Sequence, residues 1–491
     1  MNRESPLQFI ERNASRAPDE PAATFGARQL THRELFEAIT ATARTLAGHG
    51  IGPGSRVAIY SDDDLDLCRC YGALWALGAT AVPLNISHPD STLASIESAI
   101  APDFGLYSGS FKDARARPFP MIFAGDAVEK PGACNLGRVV TGNDYDTSPA
   151  VILFTSGSSG VPKAIPLTAA QLAGNALGTA QRLAVRTDDR LLITTPLYTT
   201  SSLIHLLTMF SGGASIVVER GFLFGSRILS VLEDSKCTGF GGVPANFIRL
   251  APLTAQSTAP HRLRFLMNSG EHLPVPVLQS LRANWPGVDI YCAYGLTEVA
   301  GRLCILDPAK VDTKPGSVGR PLEGMTIRIL DESGCEVAAG TSGEVYVSGP
   351  NLMPGYLNNP EANKAMTPHG FASGDFGRKD AEGDLFLEGR SDDIVKVGGE
   401  KVSMIAIESA AGTVQGVVEC AAIPVADERI GIVPWLYYVS AEGHGEMNDR
   451  IKSCLRAALP PNHMPMRLMR VDSLPRTASG KIARKKLLEA A

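Results

Sequence analysis

The segment from Phe154 to Lys163 combines hydroxyl groups, glycines and a lysine directly after an apolar strand signal at 150–155. Glycines and hydroxyls allow backbone N–H and side-chain O–H groups to surround phosphate oxygens, and a lysine adds a mobile positive charge. The segment is not a Walker A loop, in which Ser or Thr follows the lysine, because here Ala164 follows Lys163. The pattern predicts a phosphate-binding loop, although a Ser/Gly-rich surface loop would have the same composition.

Two further motifs could complete a nucleotide site. In the segment YGLTE (294–298), the Glu298 carboxylate stands beside the Thr297 hydroxyl, and near phosphates such a pair can hold Mg²⁺ and an α-phosphate oxygen. Asp375 can accept hydrogen bonds from both hydroxyls of a ribose, and Arg390 can reach the same sugar or a phosphate. Each motif alone could also be a solvated turn. The prediction of a nucleotide site therefore depends on the occurrence of all of them in one chain.

A last candidate lies near the end of the chain, where the segment 475–481 (PRTASGK) places Lys481 on a stretch rich in Gly, Ser and Thr. A lysine in this context is more often part of a solvated tail than of a site. It therefore gains significance only from the motifs that precede it.

The elements that must position these residues alternate between helix and strand. Thr31 and Glu34 form a capping-box pattern before an apolar helical repeat. Apolar runs at 150–155, 190–195, 214–219 and 264–270 are typical of strands. This alternation predicts α/β layers with parallel strands. After about residue 315 two strand patterns with tight polar turns indicate a small β-rich subdomain, 388–393 has the composition of a hinge, and the remaining segment looks like a separate α+β unit.

Length and composition limit the class of protein. The 491 residues exceed a single ordinary core of about 250–300 residues. A hydrophobic content of 44% excludes an intrinsically disordered chain, and a net charge of −5 argues against a protein that coats nucleic acid. The nine cysteines form no CxxC pair, so Cys68 and Cys70 are expected to be buried thiols in a reducing compartment. Without a signal-peptide pattern or a long apolar run, we expect a cytoplasmic chain with no membrane span.

Taken together and in this order, the motifs resemble the acyl-adenylate-forming superfamily, which includes acyl- and aryl-CoA synthetases, peptide adenylation domains and luciferases. The resemblance covers nearly the whole chain. It implies an α/β fold with a large N-terminal domain over 1–389, built from two α/β layered sheets and a small β-barrel-like subdomain, and a mobile α+β lid over 390–491. The motifs that carry it are FTSGSSGVPK (154–163), YGLTE (294–298), GEVYVSGPNLMPGY (343–356), SGDF (373–376), GRSDDIVKVGGEKV (389–402) and PRTASGKIAR (475–484).

The resemblance also implies two reactions at one site. In the first, a carboxylate attacks the α-phosphate of ATP, which gives acyl-AMP and pyrophosphate with the help of Mg²⁺. In the second, a nucleophile attacks the acyl carbon and AMP leaves. Carboxylate and triphosphate are both anionic, so positive charge must neutralise them and hold them in line. Lys163, Lys481 and Mg²⁺ would supply that charge.

The nucleotide residues follow from the same resemblance. Thr297 would contact the α-phosphate, Glu298 would hold Mg²⁺, and Asp375 with Arg390 would bind the ribose. Residues expected to surround the β- and γ-phosphates are Thr155, Ser156, Gly157, Ser158, Ser159, Gly160 and Lys163. Residues expected around adenine are Gly270, Glu271 and His272 on one side and Tyr291, Cys292, Ala293, Tyr294 and Gly295 on the other. Cys292 departs from the Asn, Gln or Asp that often accepts from the adenine amino group, and a backbone carbonyl could replace it.

The C-terminal residues would act in both reactions. Lys481 matches the lysine that orients the carboxylate and the α-phosphate during adenylation, and Asp392 matches the hinge. After rotation, Gly398 and Gly399 would form the backbone wall of a pantetheine tunnel, because a missing side chain permits close approach.

The acyl pocket is expected between 196–205, 241–247 and 293–302. His205 is either a gating residue or a histidine packed on a helix, and Arg302 pairs either with a second carboxylate of the substrate or with a surface acid. Because 196–205 contains no Asp for an α-amino group, a neutral aryl, cyclic or medium-length acid is favoured. The pocket residues are Tyr198, Ser201, His205, Gly242, Val243, Asn246, Phe247 and Gly295.

Several acceptors remain open. CoA is favoured by Gly398, Gly399 and the PRTASGKIAR ending, but an amine, as in coronafacate-ligase-like amide synthetases, or a separate carrier protein would use the same motifs. A homodimer is compatible with the chain. A nucleotide-binding protein without catalysis is disfavoured because Lys163, Glu298 and Lys481 are all present, and nothing marks a luciferase-like oxygen-reactive pocket.

Overall fold

A computed structural model describes most of the chain. The described residues are 4–108, 111, 117–124, 148–155, 162–220, 224–390, 394–397, 400–427, 431–440, 444–460, 463–476 and 482–489. Nine of the predicted site residues lie outside these ranges, and their placement stays a prediction. They are Ser156, Gly157, Ser158, Ser159, Gly160, Asp392, Gly398, Gly399 and Lys481.

A six-stranded sheet carries the strand that precedes the predicted phosphate loop. Its order is β6-β5-β3-β4-β7-β8, parallel except for the antiparallel pair of β7 and β8. Most residues of β3, β4 and β7 are buried, as expected for parallel strands that are covered on both faces. The strands are β3 (Arg56–Tyr60), β4 (Thr80–Leu84), β5 (Phe104–Tyr107), β6 (Met121–Phe123), β7 (Pro149–Thr155) and β8 (Lys163–Thr168).

A second, 14-stranded sheet runs through the rest of the large domain in the order β16-β17-β19-β20-β15-β14-β13-β12-β11-β9-β10-β1-β2, with β18 beside β19. The run from β13 through β12, β11, β9 and β10 to β1 is parallel, and the run from β13 to β16 is antiparallel. The antiparallel half is the β-rich region predicted after residue 315. The parallel half contains β1 (Pro21–Phe25), β9 (Arg190–Ile193), β10 (Ser215–Val218), β11 (Gly239–Gly242), β12 (Phe265–Asn268) and β13 (Asp289–Leu296), and β2 (Arg28–Thr31) adds an antiparallel strand at its edge beside β1. The antiparallel half contains β14 (Gly301–Ile305), β15 (Ser317–Pro321), β16 (Thr326–Leu330), β17 (Gly343–Ser348), β18 (Met366–Thr367), β19 (Gly370–Lys379) and β20 (Leu385–Arg390).

Helices cover both sheets, and several of their N-termini are capped by the side chains of preceding Ser, Thr or Asp residues. The predicted capping box is present: the Glu34 amide donates to Thr31 Oγ1 at 3.2 Å, and the Thr31 amide donates to Glu34 Oε2 at 2.8 Å. The helices of this part are Pro6–Arg16, His32–Gly48, Asp64–Ala76, Asp90–Ile100, Ala169–Arg182, Thr200–Ser211, Gly225–Asp234, Pro244–Thr254 and Val275–Asn284.

Separate apolar clusters lie on the two faces of the parallel half of the large sheet. One contains Phe9, Leu35 and Phe210, and the other contains Phe240 and Trp285. Cys68 and Cys70 are buried in the first cluster, where burial raises the pKa of each thiol to about 12. The prediction that they are ordinary buried thiols is therefore confirmed.

The C-terminal part has its own strands and its own core. A hairpin of β21 and β22 precedes a three-stranded sheet in the order β23-β24-β25. Its core includes Met404, Ile407, Leu436, Tyr438 and Ile451. The elements are β21 (Ile394–Val397), β22 (Glu400–Ser403), β23 (Val417–Asp427), β24 (Gly431–Ser440) and β25 (Arg467–Arg470), with helices Met404–Ala411, His444–Ala458 and Arg484–Glu489. The predicted α/β fold with a small α+β unit at its end is confirmed.

Across the described ranges, none of the helices combines the length and the apolar character that crossing a bilayer requires.

Candidate active site

The phosphate-binding segment begins and ends on paired strands. Thr155 is the last residue of β7 and Lys163 is the first residue of β8, and the two are direct partners in the antiparallel ladder. Both are half-buried. Residues 156–161 lie outside the described ranges, but the ladder brings the two ends of the predicted loop together, as a short connection requires.

Glu298 lies in a short 3₁₀ turn, Thr297–Val299, that follows β13. Its side chain is buried, and Glu298 Oε1 accepts a hydrogen bond of 2.7 Å from the Tyr356 hydroxyl. Burial, and then the Glu298 carboxylate, raise the pKa of Tyr356, so the phenol stays a donor. Lys163 Nζ lies 5.1 Å from the centroid of the Tyr356 ring, within the range of a cation–π contact. Tyr356 therefore joins the lysine to the predicted metal-binding carboxylate.

Thr297 contacts the start of a helix that reaches into the predicted acyl pocket. Its Oγ1 lies 2.9 Å from Oγ1 of Thr200, the first residue of the helix Thr200–Ser211. Thr199 caps this helix by accepting a hydrogen bond from the Ser202 amide. The first turn of the helix is thus held against the residue predicted to contact the α-phosphate.

Asp375 and Arg390 occupy paired positions on β19 and β20. Arg390 Nη1 lies 3.8 Å from Asp375 Oδ1, and the Asp375 amide donates to Ser373 Oγ at 3.0 Å. The Tyr294 hydroxyl donates a hydrogen bond to Asp375 Oδ2. The structure therefore brings together the two predicted ribose residues, and it adds Tyr294, which the sequence had assigned only to the adenine side.

One predicted adenine segment, 270–272, follows the end of β12. The other, 291–295, lies on β13, the parallel strand beside β12. Gly270 follows the end of β12 with a φ of +97°, a conformation that favours glycine, and the Asn268 amide nitrogen Nδ2 donates to the Glu271 carbonyl at 3.0 Å. Cys292 pairs with Asn268 across β12 and β13. Burial raises the pKa of Cys292 to about 12, so its thiol is neutral. Burial also lowers the pKa of His272.

Strand β13 presents its residues alternately to its two faces. Tyr291 is buried and packs edge-on against Phe265, with ring centroids 6.1 Å apart, and Ala293 lies in the same apolar cluster. Cys292 belongs to the cluster on the opposite face. The described contacts of Tyr291 and Ala293 are therefore core contacts. Gly295 lies so close to β14 that a Cβ there would be 2.0 Å from the Gly301 carbonyl oxygen.

Two of the predicted acyl-pocket residues make contacts within the framework. Asn246 Oδ1 accepts a hydrogen bond of 3.0 Å from the Val243 amide, which closes the first turn of the helix Pro244–Thr254. Phe247 is almost fully buried and packs against Phe240, with ring centroids 5.3 Å apart. A Cβ at Gly242 would contact both rings, so the strand end has no room for a side chain.

Tyr198 lies on a loop that an ion pair holds in place. The Arg220 guanidinium makes two hydrogen bonds of 2.6 Å to the carboxylate of Asp64, and Asp64 also accepts from the Leu197 amide at 2.9 Å. Arg220 lies 6.0 Å from the centroid of the Tyr198 ring. The half-buried Tyr198 is thus fixed at the start of the predicted pocket.

His205 and Arg302 meet in the interior beneath this loop. His205 is buried on the helix Thr200–Ser211, and a Cβ at Gly241 would lie 2.7 Å from its ring, so the imidazole rests on the backbone of β11. Arg302 Nη2 lies 2.9 Å from His205 Nε2 and donates to Ser201 Oγ at 3.0 Å. Ser201 Oγ in turn lies 3.2 Å from Ser269 Oγ. Arg302 is therefore buried beside two predicted pocket residues, Ser201 and His205, and does not form a surface ion pair.

The charges of this pair follow from burial. Burial lowers the pKa of Arg302 to about 10, so the guanidinium remains charged at neutral pH. Burial, and then the charge of Arg302, lower the pKa of His205 well below its usual value, so the imidazole is neutral. A guanidinium has only donors, and His205 Nε2 is therefore the acceptor.

The predicted catalytic lysine lies outside the described residues, but the ends of its segment are held. Arg476 and Ile482 form an isolated antiparallel bridge around 477–481. Arg476 pairs with Glu419, and Arg484 pairs with Glu408 at 2.8 Å. Both ends of the segment that contains Lys481 are therefore tied to the C-terminal core.

Comparisons with known proteins agree with this geometry. A family model described as AMP-binding enzyme matches residues 10–357, and a model of the AMP-binding enzyme C-terminal domain matches 406–481. The chain is 30% identical to a feruloyl-CoA synthase of Amycolatopsis sp over 96% of both proteins, and 28% identical to a 2-succinylbenzoate–CoA ligase of Bacillus subtilis (strain 168) over 100% of this chain and 99% of that protein. The chain belongs to the AMP-binding enzyme family.

A solved structure extends the similarity to three dimensions. The o-succinylbenzoate CoA synthetase from Bacillus subtilis, in complex with its acyl-adenylate intermediate, matches with a TM-score of 0.86 and 26% identity over 99% of this chain and 98% of that chain. The order of sheets and the small C-terminal unit described above are thus those of adenylate-forming enzymes.

Proposed function

We propose that this enzyme activates a carboxylic acid with ATP to give acyl-AMP and pyrophosphate, and then transfers the acyl group to the thiol of CoA. It is an AMP-forming acid–thiol ligase, and its substrates include a carboxylic acid, ATP and CoA. The observation that carries the proposal is the arrangement around the end of β13. There the Glu298–Tyr356–Lys163 group and the Asp375–Tyr294 pair provide the donors and acceptors that a nucleotide requires.

The described residues fit Mg²⁺ and ATP. Mg²⁺ usually keeps several waters and is bound through one or two carboxylates together with substrate phosphates. Glu298 offers such a carboxylate with Oε2 not engaged by the described residues, and the described chain contains no cluster of three or more metal-ligand side chains. Glu298 would therefore hold the ion, whose charge neutralises phosphate oxygens when it is bound. The Bacillus subtilis o-succinylbenzoate CoA synthetase has been solved in complex with ATP and magnesium ion.

The chain's own residues then have separable tasks. Thr297, which contacts Thr200, would donate to the α-phosphate, and Lys163, which lies over the Tyr356 ring, would neutralise the outer phosphates. Asp375, in contact with the Tyr294 hydroxyl, is placed to accept from a ribose hydroxyl. Ser156, Gly157, Ser158, Ser159 and Gly160 complete the phosphate loop in this proposal.

The second reaction requires a domain rotation. We assign 1–389 to the domain that binds ATP and the acid and 390–491 to the mobile lid, with Asp392 as the hinge. Lys481 orients the acid for adenylation, and Gly398 and Gly399 line the path of the CoA arm after rotation. The location is proposed to be the cytoplasm, because the free cysteines suit a reducing compartment, and a homodimer remains a prediction.

Product analysis tests the proposal. The enzyme is incubated with ATP, Mg²⁺, a broad panel of carboxylic acids, CoA and a mixed amine pool, and the products are identified by mass spectrometry. We expect acyl-CoA and AMP in equal amounts. An amide that forms equally well without CoA would contradict the acceptor and indicate an amide synthetase, and acyl transfer only to an added carrier protein would also contradict it.

Lys481→Ala separates the two reactions. This variant should lower acid-dependent ATP–pyrophosphate exchange by about 10²–10³-fold, because a preorganised charge is lost from the transition state. It should largely retain the conversion of supplied acyl-AMP and CoA to acyl-CoA. An equal loss in both reactions would contradict the role of Lys481 in adenylation alone.

A further inference from the structure

The Arg302 guanidinium is a buried cation with no carboxylate partner among the described residues. Its exposed fraction is 4%, and among the described residues its side-chain hydrogen bonds are to the neutral groups of Ser201 and His205. Arg302 Nε is buried and makes no hydrogen bond within the described part of the chain. Charged side chains are almost never buried without a partner, because removal from water disfavours the charge. The described residues therefore supply no anion that would balance this charge.

The groups around Arg302 are all potential donors. Because His205 Nε2 accepts from Arg302, the proton of the neutral imidazole is on Nδ1, and this atom is buried without a partner among the described residues. Ser201 is half-buried and its hydroxyl is close to that of Ser269. An oxyanion would satisfy several of these donors together, whereas an apolar acyl chain would satisfy none.

The framework does not require the guanidinium. The backbone amide of residue 302 donates to Asn175 Oδ1 at 3.1 Å, and Asn175 Nδ2 donates to the carbonyls of Arg302 at 2.6 Å and Val299 at 3.0 Å. Arg302 is also held in register opposite Gly295 on β13. The backbone is thus fixed by groups other than the guanidinium. The fold of this strand therefore gives no reason for a buried positive charge at residue 302.

The location of Arg302 relative to Thr297 sets the size of the ligand. Thr200, which contacts Thr297, and His205, which contacts Arg302, are on one helix and five residues apart. At a rise of 1.5 Å per residue they are separated by about 7.5 Å along the helix axis. A group bound at Arg302 would lie roughly this far from the carboxylate that reacts near Thr297.

We propose that Arg302, together with Ser201, binds a second carboxylate of the substrate, so that the enzyme prefers dicarboxylic acids to monocarboxylic acids of the same size. The preferred acids are medium-length aliphatic diacids or aryl diacids whose carboxyl groups lie at opposite ends. This inference rests on the proposed acid-ligase function and replaces the expectation of a neutral acid.

The first test uses the wild-type enzyme. ATP–pyrophosphate exchange is measured with a series of aliphatic and aryl diacids and with the monomethyl ester of each. Hydrogen bonds to charged groups predict that kcat/KM for the best diacid exceeds that for its monoester by about 10- to 150-fold. Equal values, or a preference for monoesters, would overturn the inference. No exchange with any acid would instead contradict the proposed function, and the inference with it.

The second test changes the side chain. Arg302→Met should lower kcat/KM for the diacid by about 10- to 150-fold and change it for the monoester by less than about threefold. Arg302→Lys, which retains the charge, should keep the preference for the diacid. Arg282→Met, which breaks a surface contact with Asp312, is the matched control and should leave both values unchanged. An equal loss for both acids in Arg302→Met, with thermal unfolding unchanged, would overturn the inference.

Discussion

The nucleotide side of the site and the acyl side use opposite charges held in the same way. On the nucleotide side, the Glu298 and Asp375 carboxylates each accept a hydrogen bond from a buried tyrosine hydroxyl, of Tyr356 and Tyr294 respectively. Burial, followed by the neighbouring carboxylate, raises the pKa of both phenols, so they remain donors. The Glu298 carboxylate is thus oriented by a neutral hydroxyl and can still attract a metal ion. Asp375 is oriented by the neutral Tyr294 hydroxyl and also faces the Arg390 guanidinium at 3.8 Å.

On the acyl side, the Arg302 guanidinium is oriented by the neutral Ser201 and His205. The comparison of Glu298 with Arg302 teaches that neutral donors and acceptors can set the direction of a charge without cancelling it. A buried salt bridge would have oriented the same groups but consumed their charge. Glu298 and Arg302 therefore depend on the substrates for their counter-charges.

The largest expected effect comes from removing a charge on the nucleotide side. Glu298→Gln should lower ATP–pyrophosphate exchange by about 10²–10³-fold, because the amide still accepts from Tyr356 but no longer neutralises the metal ion. Exchange is measured as a function of Mg²⁺ concentration. Glu344→Gln is the matched control, because Glu344 also accepts from a tyrosine, Tyr346, on a strand outside the site. A loss below about tenfold would remove Glu298 from the metal site.

A smaller effect is expected when only the neutral partner is removed. Tyr294→Phe should raise the KM for ATP by about tenfold, the upper range for one hydrogen bond, because Asp375 loses its fixed orientation toward the ribose. With 2′-deoxy-ATP the change should be smaller. Tyr346→Phe, which removes a tyrosine hydroxyl that donates to Glu344 and not to Asp375, should change neither value. An equal increase for both nucleotides would show that Tyr294 does not act through the ribose.

The smallest effect concerns the neutrality of His205. Its folded-state pKa lies well below 6.5, so below pH 6.5 the unfolded chain binds a proton that the native histidine does not. Stability should therefore fall as the pH decreases below 6.5, by up to about 1.4 kcal/mol per pH unit for this group. His205→Gln should remove this contribution.

The free energy of unfolding of the wild type and of His205→Gln is measured by urea denaturation at about pH 7.5, 6.5 and 5.5. The change in this free energy per pH unit is then compared between the two proteins. His261→Gln, at an exposed position, is the control and should leave the pH dependence unchanged. If His205→Gln kept the wild-type slope, the imidazole would be protonated in the native state, and the acyl side would have two positive charges instead of one.

Local patterns were sufficient to predict the elements that carry the site. The apolar run 150–155 is contained in β7, and the run 264–270 contains β12, because strands buried on both faces are apolar along their length. The Thr31 capping box was predictable for a similar reason, since both partners lie within one helical turn. These predictions depend only on contacts between residues that are close in sequence.

Contacts between distant residues were not predictable in this way. Tyr356 ends the motif GEVYVSGPNLMPGY (343–356), but its partner Glu298 lies 58 residues away in the sequence. Tyr294 likewise lies 81 residues from its partner Asp375. Such pairs arise from the register of β13, β14 and β19, which no local pattern specifies. The burial of Arg302 could not be predicted either, because the sequence alone does not show whether a charged side chain is exposed to water. The available signal for the two hydroxyl–carboxylate pairs was the presence of Tyr294 and Tyr356 inside the sequence motifs.

The two hydrogen bonds that Asn175 donates to carbonyl groups near residue 302 have a consequence for enzyme engineering. Because Asn175 also accepts from the amide of residue 302, the path of this strand is independent of the side chain that it displays. Position 302 can therefore be varied without loss of the hydrogen bonds that hold its backbone, provided that the new side chain fits beside Ser201 and His205. A saturation library at this single codon, with Asn175 kept constant, is the smallest search that could retarget the enzyme to acids with a different far end.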